Sequence, residues 1–245
     1  MHVEIFSDIA CPWCYIGKRR FQEALANYEH ADEVEIVWRS FELDPNAPKE
    51  ETGLTIDKLK SKYGVGHDEA ARMMAGAARE AATVGLEFRL ENARQANTFD
   101  AHRLTHYAAT VGLQEPVLEA LMNGYQVDGE YLGSAETLER LAVGAGLDRE
   151  AVRTVLSGDA YADAVREDET RARRLGVSGV PFFVFDSTSG ISGAQSSDYF
   201  LQALKQLGPQ VEKVTRFVPA GQASETAPAR SAEAGVCVDD TCEVP

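Results

Sequence analysis

The sequence is poor in positive charge. Lysine and arginine number 24 against 39 aspartates and glutamates, a net charge of −15 over 245 residues. Binding a phosphate backbone needs a basic patch, so nucleic acid is not expected as a partner. Long apolar runs are missing too. No stretch approaches the roughly 18–20 apolar residues that cross a bilayer, so no membrane partner is expected. The opening residues, MHVEIFSDIACPWC, lack the basic-then-apolar pattern of a secretory leader. A cytoplasmic protein is therefore the expectation. Glycine-rich phosphate loops are absent, and Gly193 and Gly221 read as turns. Cysteine is scarce, at four. In a reducing compartment such cysteines serve catalysis, redox sensing or metal binding rather than a disulfide framework.

What is present is ordinary globular material, 44% hydrophobic and 26% charged, enough for a sizeable core. His2 to Phe6 alternates polar and apolar side chains, as a half-buried strand does. Phe21, Ala24, Leu25 and Tyr28 then recur at helical spacing. Glu33 to Phe41 is β-branched and aromatic and reads as a second strand. From 55 to 176 nearly every segment reads as helix. Thr55, Thr98, Ser134, Asp148 and Asp159 stand at helix starts, Pro116 opens another helix, and Gly64, Gly85 and Gly112 stand at ends. Strand character returns over Val180–Phe185, with Asp186–Gly190 as a turn and Ile191–Ala194 as hairpin partner. Ser196 caps a closing helix to about Leu207. Residues 219–236 are rich in Pro, Ala, Ser and Glu and read as a linker. The order is α/β: a βαβ unit with parallel strands, a helical insertion, then an antiparallel hairpin and a helix.

The chemistry concentrates in SDIACPWCYIGKRRF, residues 7–21. Cys11 and Cys14 stand where a strand ends and a helix begins. A cysteine at a helix N-terminus faces unpaired N–H groups and the positive end of the dipole, which favours thiolate, the nucleophilic form. Pro12 suits the first helical turn. Cys11 is thus expected to be the exposed nucleophile and Cys14, one turn inward, the resolving thiol. Lys18, Arg19 and Arg20, within two turns, read either as added positive potential at the thiols or as a solvated helix face. In VSGVPFFVF, residues 177–185, a proline enters an apolar strand where it cannot donate a ladder hydrogen bond. This makes sense if Val180–Pro181 is cis and the Val180 backbone is left open to an extended peptide.

These stretches resemble the DsbA superfamily of thioredoxin-fold proteins, and within it the cytoplasmic FrnE-like branch. The shared text is DIACPWCYIGKRRF, NTFDAHRL (97–104), GVSGVPFFVF and ISGAQ (191–195), within a resemblance covering residues 1–210. It implies a thioredoxin-like fold made of 1–54 and 177–217, interrupted by a helical insertion over 55–176. It also implies Cys11 as nucleophile, Cys14 as resolving thiol, Pro181 as the cis proline, and disulfide exchange or isomerisation on protein substrates. Glutathione-dependent relatives, the kappa-class transferases and 2-hydroxychromene-2-carboxylate isomerases, share the layout but usually carry serine where Cys11 stands. No cofactor beyond the redox-active disulfide is expected. Glutathione stays open, as does a cellular thiol reductant as partner.

A second pair, Cys237 and Cys242, ends the tail (218–245) with C-x4-C spacing. Three readings stand open: an auxiliary redox pair for Cys11 and Cys14, a local or inert pair, or a four-thiolate metal site in a stress protein. Nearby Asp239, Asp240 and Glu243 disfavour thiolate there and suit an electron donor. His102 and His106, four apart, form a weak metal pair, and His102 is a candidate for holding the insertion to the active site. Met73, Met74 and Met122 read as core or groove residues. Trp13, with Pro12 and Val180, is a candidate substrate contact. Phe99 and Tyr125 are candidates for lining the cleft beneath the insertion.

Overall fold

The computed structural model of the chain describes residues 1–208, and the expected pair Cys237 and Cys242 lies outside them. Four strands make one sheet in the order β2-β1-β3-β4. β1 (His2–Ser7) and β2 (Glu35–Ser40) run parallel, from His2 opposite Glu35 to Ser7 opposite Ser40, and α1 (Pro12–Ala26) crosses between them. β3 (Phe182–Phe185) pairs antiparallel with β1, and β4 (Ser189–Ser192) antiparallel with β3. This is a thioredoxin-like α/β fold.

The hairpin closes sooner than the sequence suggested. Asp186 and Ser187 both take positive φ, and the Thr188 N–H donates to the Phe185 carbonyl at 3.0 Å. Three residues therefore turn the chain, and β4 starts at Ser189 instead of Ile191. β1 differs as well. It reads as half-buried, yet Val3 to Ser7 are all buried, because the sheet is covered on both faces. Glu4 survives at that depth because Arg39 on β2 and Arg171 on α8 (Ala162–Arg174) reach it, at 2.8 and 2.7 Å. Burial alone would raise the Glu4 carboxyl, but the two arginines reverse this and hold it below its ordinary value.

Seven helices stand between β2 and β3. They are α2 (Thr55–Tyr63), α3 (His67–Ala82), α4 (Phe99–Thr110), α5 (Gln114–Gln126), α6 (Ala135–Gly144), α7 (Arg149–Ser157) and α8. α9 (Ser197–Leu207) closes the described chain. Ser134, Asp148 and Ser196 accept the N–H of Thr137, Ala151 and Tyr199, as side-chain caps do. Asp159 does not cap: α8 begins three residues later, after Tyr161 at φ 64°. The cause is Arg103, buried on α4, which donates to the carbonyls of Gly158 and Ala160 at 2.6 and 2.8 Å and holds this segment as a turn.

The insertion folds back over α1, and that overturns the solvated reading of its basic run. Lys18 is 1% exposed, with Nζ 2.6 Å from Glu115 and 2.5 Å from Glu119 of α5. Arg19 also binds Glu119, and Arg20 binds Glu80 at 2.6 Å. Inside the sheet, Phe21 of α1 meets Phe183 and Phe200 with centroids 5.4 and 5.5 Å away.

Candidate active site

β1 ends at Ser7, and a short turn delivers Cys11 as the N-cap of α1 with Pro12 as first helical residue. The Cys14 N–H donates to the Cys11 carbonyl at 3.1 Å, so the two sulfurs share one helical turn. Both are free thiols and both are buried. For Cys11 this corrects the expectation of exposure, since it is 4% exposed. The cover is the segment before β3: the Cys11 sulfur donates to the Val180 carbonyl at 3.7 Å. The Val180–Pro181 bond is cis. Gly17 permits the close approach, because a Cβ there would lie 3.0 Å from Pro181 Cγ and 3.4 Å from Ala194 Cβ. Among the described residues the Val180 N–H has no hydrogen-bond partner, so one of its two backbone groups is open and Cys11 takes the other.

Cys11 lines a cleft of about 430 Å³ between α1 and the insertion. Pro12 and Trp13 share its near wall, and Leu59, Met73 and Met74 stand opposite. Trp13 is 43% exposed. Tyr125 lines the cleft, while Phe99 does not: its ring lies under the Arg166 guanidinium, 4.4 Å away. Met122 is fully buried in the core.

Residues 2–205 match the DSBA-like thioredoxin domain. The chain belongs to this family. Its fold is thus that of the DsbA superfamily of thiol–disulfide oxidoreductases. A crystal structure described as a probable DsbA oxidoreductase, SCO1869 from Streptomyces coelicolor, is 48% identical, with a TM-score of 0.81 over 84% of this chain and 89% of that one. The uncharacterized protein YwbO of Bacillus subtilis is 26% identical over 206 residues, 83% of this chain and 96% of its own. The cytosolic disulfide reductase DsbM from Pseudomonas aeruginosa, solved with GSH, shares the fold at 17% identity, TM-score 0.59, over 84% of this chain and 99% of that one.

Behind the two thiols, this DsbA-family site holds a buried carboxylate that the sequence reading missed. Asp8 accepts the N–H groups of Leu43 and Ala10 at 2.7 and 3.2 Å. His102 Nε2 stands 3.6 Å from Asp8 Oδ1, at ion-pair but not hydrogen-bond distance, and has no hydrogen-bond partner among the described residues. Burial opposes ionisation of Asp8, but His102 and the two backbone N–H groups outweigh it and hold the carboxyl below its ordinary value. The Asp8 N–H points to the Cys14 sulfur at 3.5 Å. Burial first, and the Cys11 sulfur second, push the Cys14 thiol well up.

His102 thus places α4 of the insertion beside the turn that leads to Cys11. His106, one turn on, meets Ser40 Oγ at 3.0 Å and Asp168 Oδ2 at 3.1 Å instead, so the two histidines serve different partners. Among the described residues no cluster of three or more His, Cys, Asp or Glu is arranged to hold a metal. Asp8 had one signal in the sequence, its place three residues before Cys11. Gln126, fully buried against the cleft, had none.

Proposed function

We propose that the protein is a cytoplasmic thiol–disulfide oxidoreductase acting on polypeptides, with disulfide isomerase activity. The observation that carries this is the Cys11–Cys14 dithiol at the head of α1, with the Cys11 sulfur 3.7 Å from the carbonyl before cis-Pro181, opening on an apolar cleft. In the reductive direction the Cys11 thiolate attacks one sulfur of a substrate disulfide. The substrate S–S bond breaks, a mixed disulfide forms, and the leaving sulfur takes up a proton. Cys14 gives up its proton and attacks the Cys11 sulfur, which releases the second substrate thiol. Two electrons pass to the substrate and a Cys11–Cys14 disulfide remains. The raised Cys14 thiol suits this division, because it stays protonated until Cys11 has reacted. In isomerisation the substrate's own second thiol resolves the mixed disulfide, and Cys14 is not used.

The Val180 N–H, with Pro12 and Trp13, is assigned to hold the substrate backbone and side chains beside Cys11. A cellular thiol reductant returns the pair to the dithiol. Cys237 and Cys242 are assigned as an auxiliary pair in that return, on the strength of acidic neighbours that disfavour thiolate and suit an electron donor. No further cofactor is needed for these steps. Two cysteines where glutathione-conjugating relatives usually carry serine favour exchange over conjugation. No helix among the described residues is long and apolar enough to cross a membrane.

Insulin reduction by dithiothreitol, followed as turbidity, tests the reading. The wild type is expected to accelerate it, Cys11→Ser to abolish the acceleration, and Cys237→Ser with Cys242→Ser to slow it. An inactive wild type overturns the proposal.

A further inference from the structure

The cleft beside Cys11 carries a positive charge, unpaired among the described residues, in a chain that is negative overall. Lys58 and Lys62, one turn apart on α2, both line it. Lys58 is paired with Asp44 at 2.6 Å. Lys62 has no carboxylate within ion-pair distance among the described residues, and its ammonium lies 5.6 Å from the Tyr63 ring centroid. The buried carboxylate on this side, Asp8, is taken up by Leu43, Ala10 and His102. At depth, Gln126 is fully buried: its amide donates to the Ile9 carbonyl at 3.2 Å, while Oε1 has no partner among the described residues. The rim is apolar. Trp13, Leu43, Tyr63 and Met73 line the cleft and are half of the eight large hydrophobic side chains exposed among the described residues.

We propose that the cleft selects extended polypeptide segments in which a large apolar residue and an acidic residue flank the disulfide cysteine. The inference rests on the disulfide-exchange reading above. The apolar side chain enters between Met73, Met74 and Leu59, where unbranched methionines adapt to different shapes. The acidic side chain meets Lys62. Four large apolar side chains exposed along the cleft offer contacts to a chain that runs on out of it. The net charge of −15 does not cancel the effect, since screening over about 8 Å confines each interaction to its neighbourhood.

The test compares three substrates at low and high salt: hydroxyethyl disulfide, and two peptide disulfides alike except for glutamate or lysine beside the cysteine. The proteins are full-length wild type, Lys62→Glu, and Lys205→Glu, the last placing the same charge change on α9 outside the cleft. A single partly exposed ion pair corresponds to about a two- to five-fold preference in kcat/KM for the glutamate peptide. That preference is expected to shrink with salt, to reverse in Lys62→Glu and to persist in Lys205→Glu. Equal rates on the two peptides, or an unchanged preference in Lys62→Glu, overturn the proposal while turnover of hydroxyethyl disulfide leaves the exchange reading standing. No turnover of any substrate removes both.

Discussion

Replacing Lys18 by methionine tests how the helical insertion is fastened to α1. Methionine keeps most of the buried stem and removes the ammonium, which lies 2.6 and 2.5 Å from Glu115 and Glu119. Breaking a fully buried pair from one side costs about 3–5 kcal/mol. Here the carboxylates are 45% and 31% exposed, so water takes part of the load. They also keep other partners: Trp38 Nε1 and Gln22 on Glu115, Tyr15 and Arg19 on Glu119. A loss of about 2–3 kcal/mol remains, which for a domain of this size lowers the melting temperature by about 4–12 °C.

The loss should depend on pH with a definite sign. Burial opposes ionisation of Glu119, but Lys18 and Tyr15 overcome it and hold the carboxyl below its ordinary value of 4.5. A depressed carboxyl contributes stability above that ordinary value and loses it as pH falls through the lower, folded value. The gap between wild type and Lys18→Met should thus be full at pH 7 and narrow toward pH 3. Denaturant titrations at both pH values give the comparison. A variant that melts within about 1 °C of wild type, or a gap equal at both pH values, refutes the reasoning.

Gly17→Ala sets two effects against each other. Alanine favours a helix interior by about 1 kcal/mol, while its Cβ would press on Pro181 Cγ at 3.0 Å. Thermal melting should show little gain and insulin reduction should slow; a melting rise with unchanged activity would show that the close approach is idle. Arg103→Met strips the buried donor from the Val155, Gly158 and Ala160 carbonyls and should cost about 2–4 kcal/mol by urea unfolding. Cys14→Ser should accumulate a mixed disulfide with substrate on Cys11, visible by intact mass, and lose reduction while keeping isomerisation.

The parts legible in the sequence were those fixed by near neighbours. Ser134, Asp148 and Ser196 cap helices whose acceptors lie three residues on. The strand–CPWC–helix junction is equally local. The hairpin turn at Asp186 and Ser187 was misread by two residues although it is local, while the misreadings of burial and charge involve partners far along the chain. Lys18 looked solvated because Glu115 and Glu119 lie about a hundred residues away, and Glu4 looked like the wet face of a strand because Arg171 is on α8. Asp159 looked like a cap because nothing local reveals that Arg103 claims the turn beside it. Asp8 was passed over for the same reason, since His102 and Leu43 are what give it its place.

The contact between the Cys11 sulfur and the Val180 carbonyl spans 169 residues of chain. Synthesis at about 5–20 residues per second puts roughly 8–34 s between making the thiols and making the segment that covers them. For that interval the nascent chain carries both thiols without the segment that covers Cys11, within reach of oxidants and disulfides. The half-made protein is thus more open to thiol modification than the finished one.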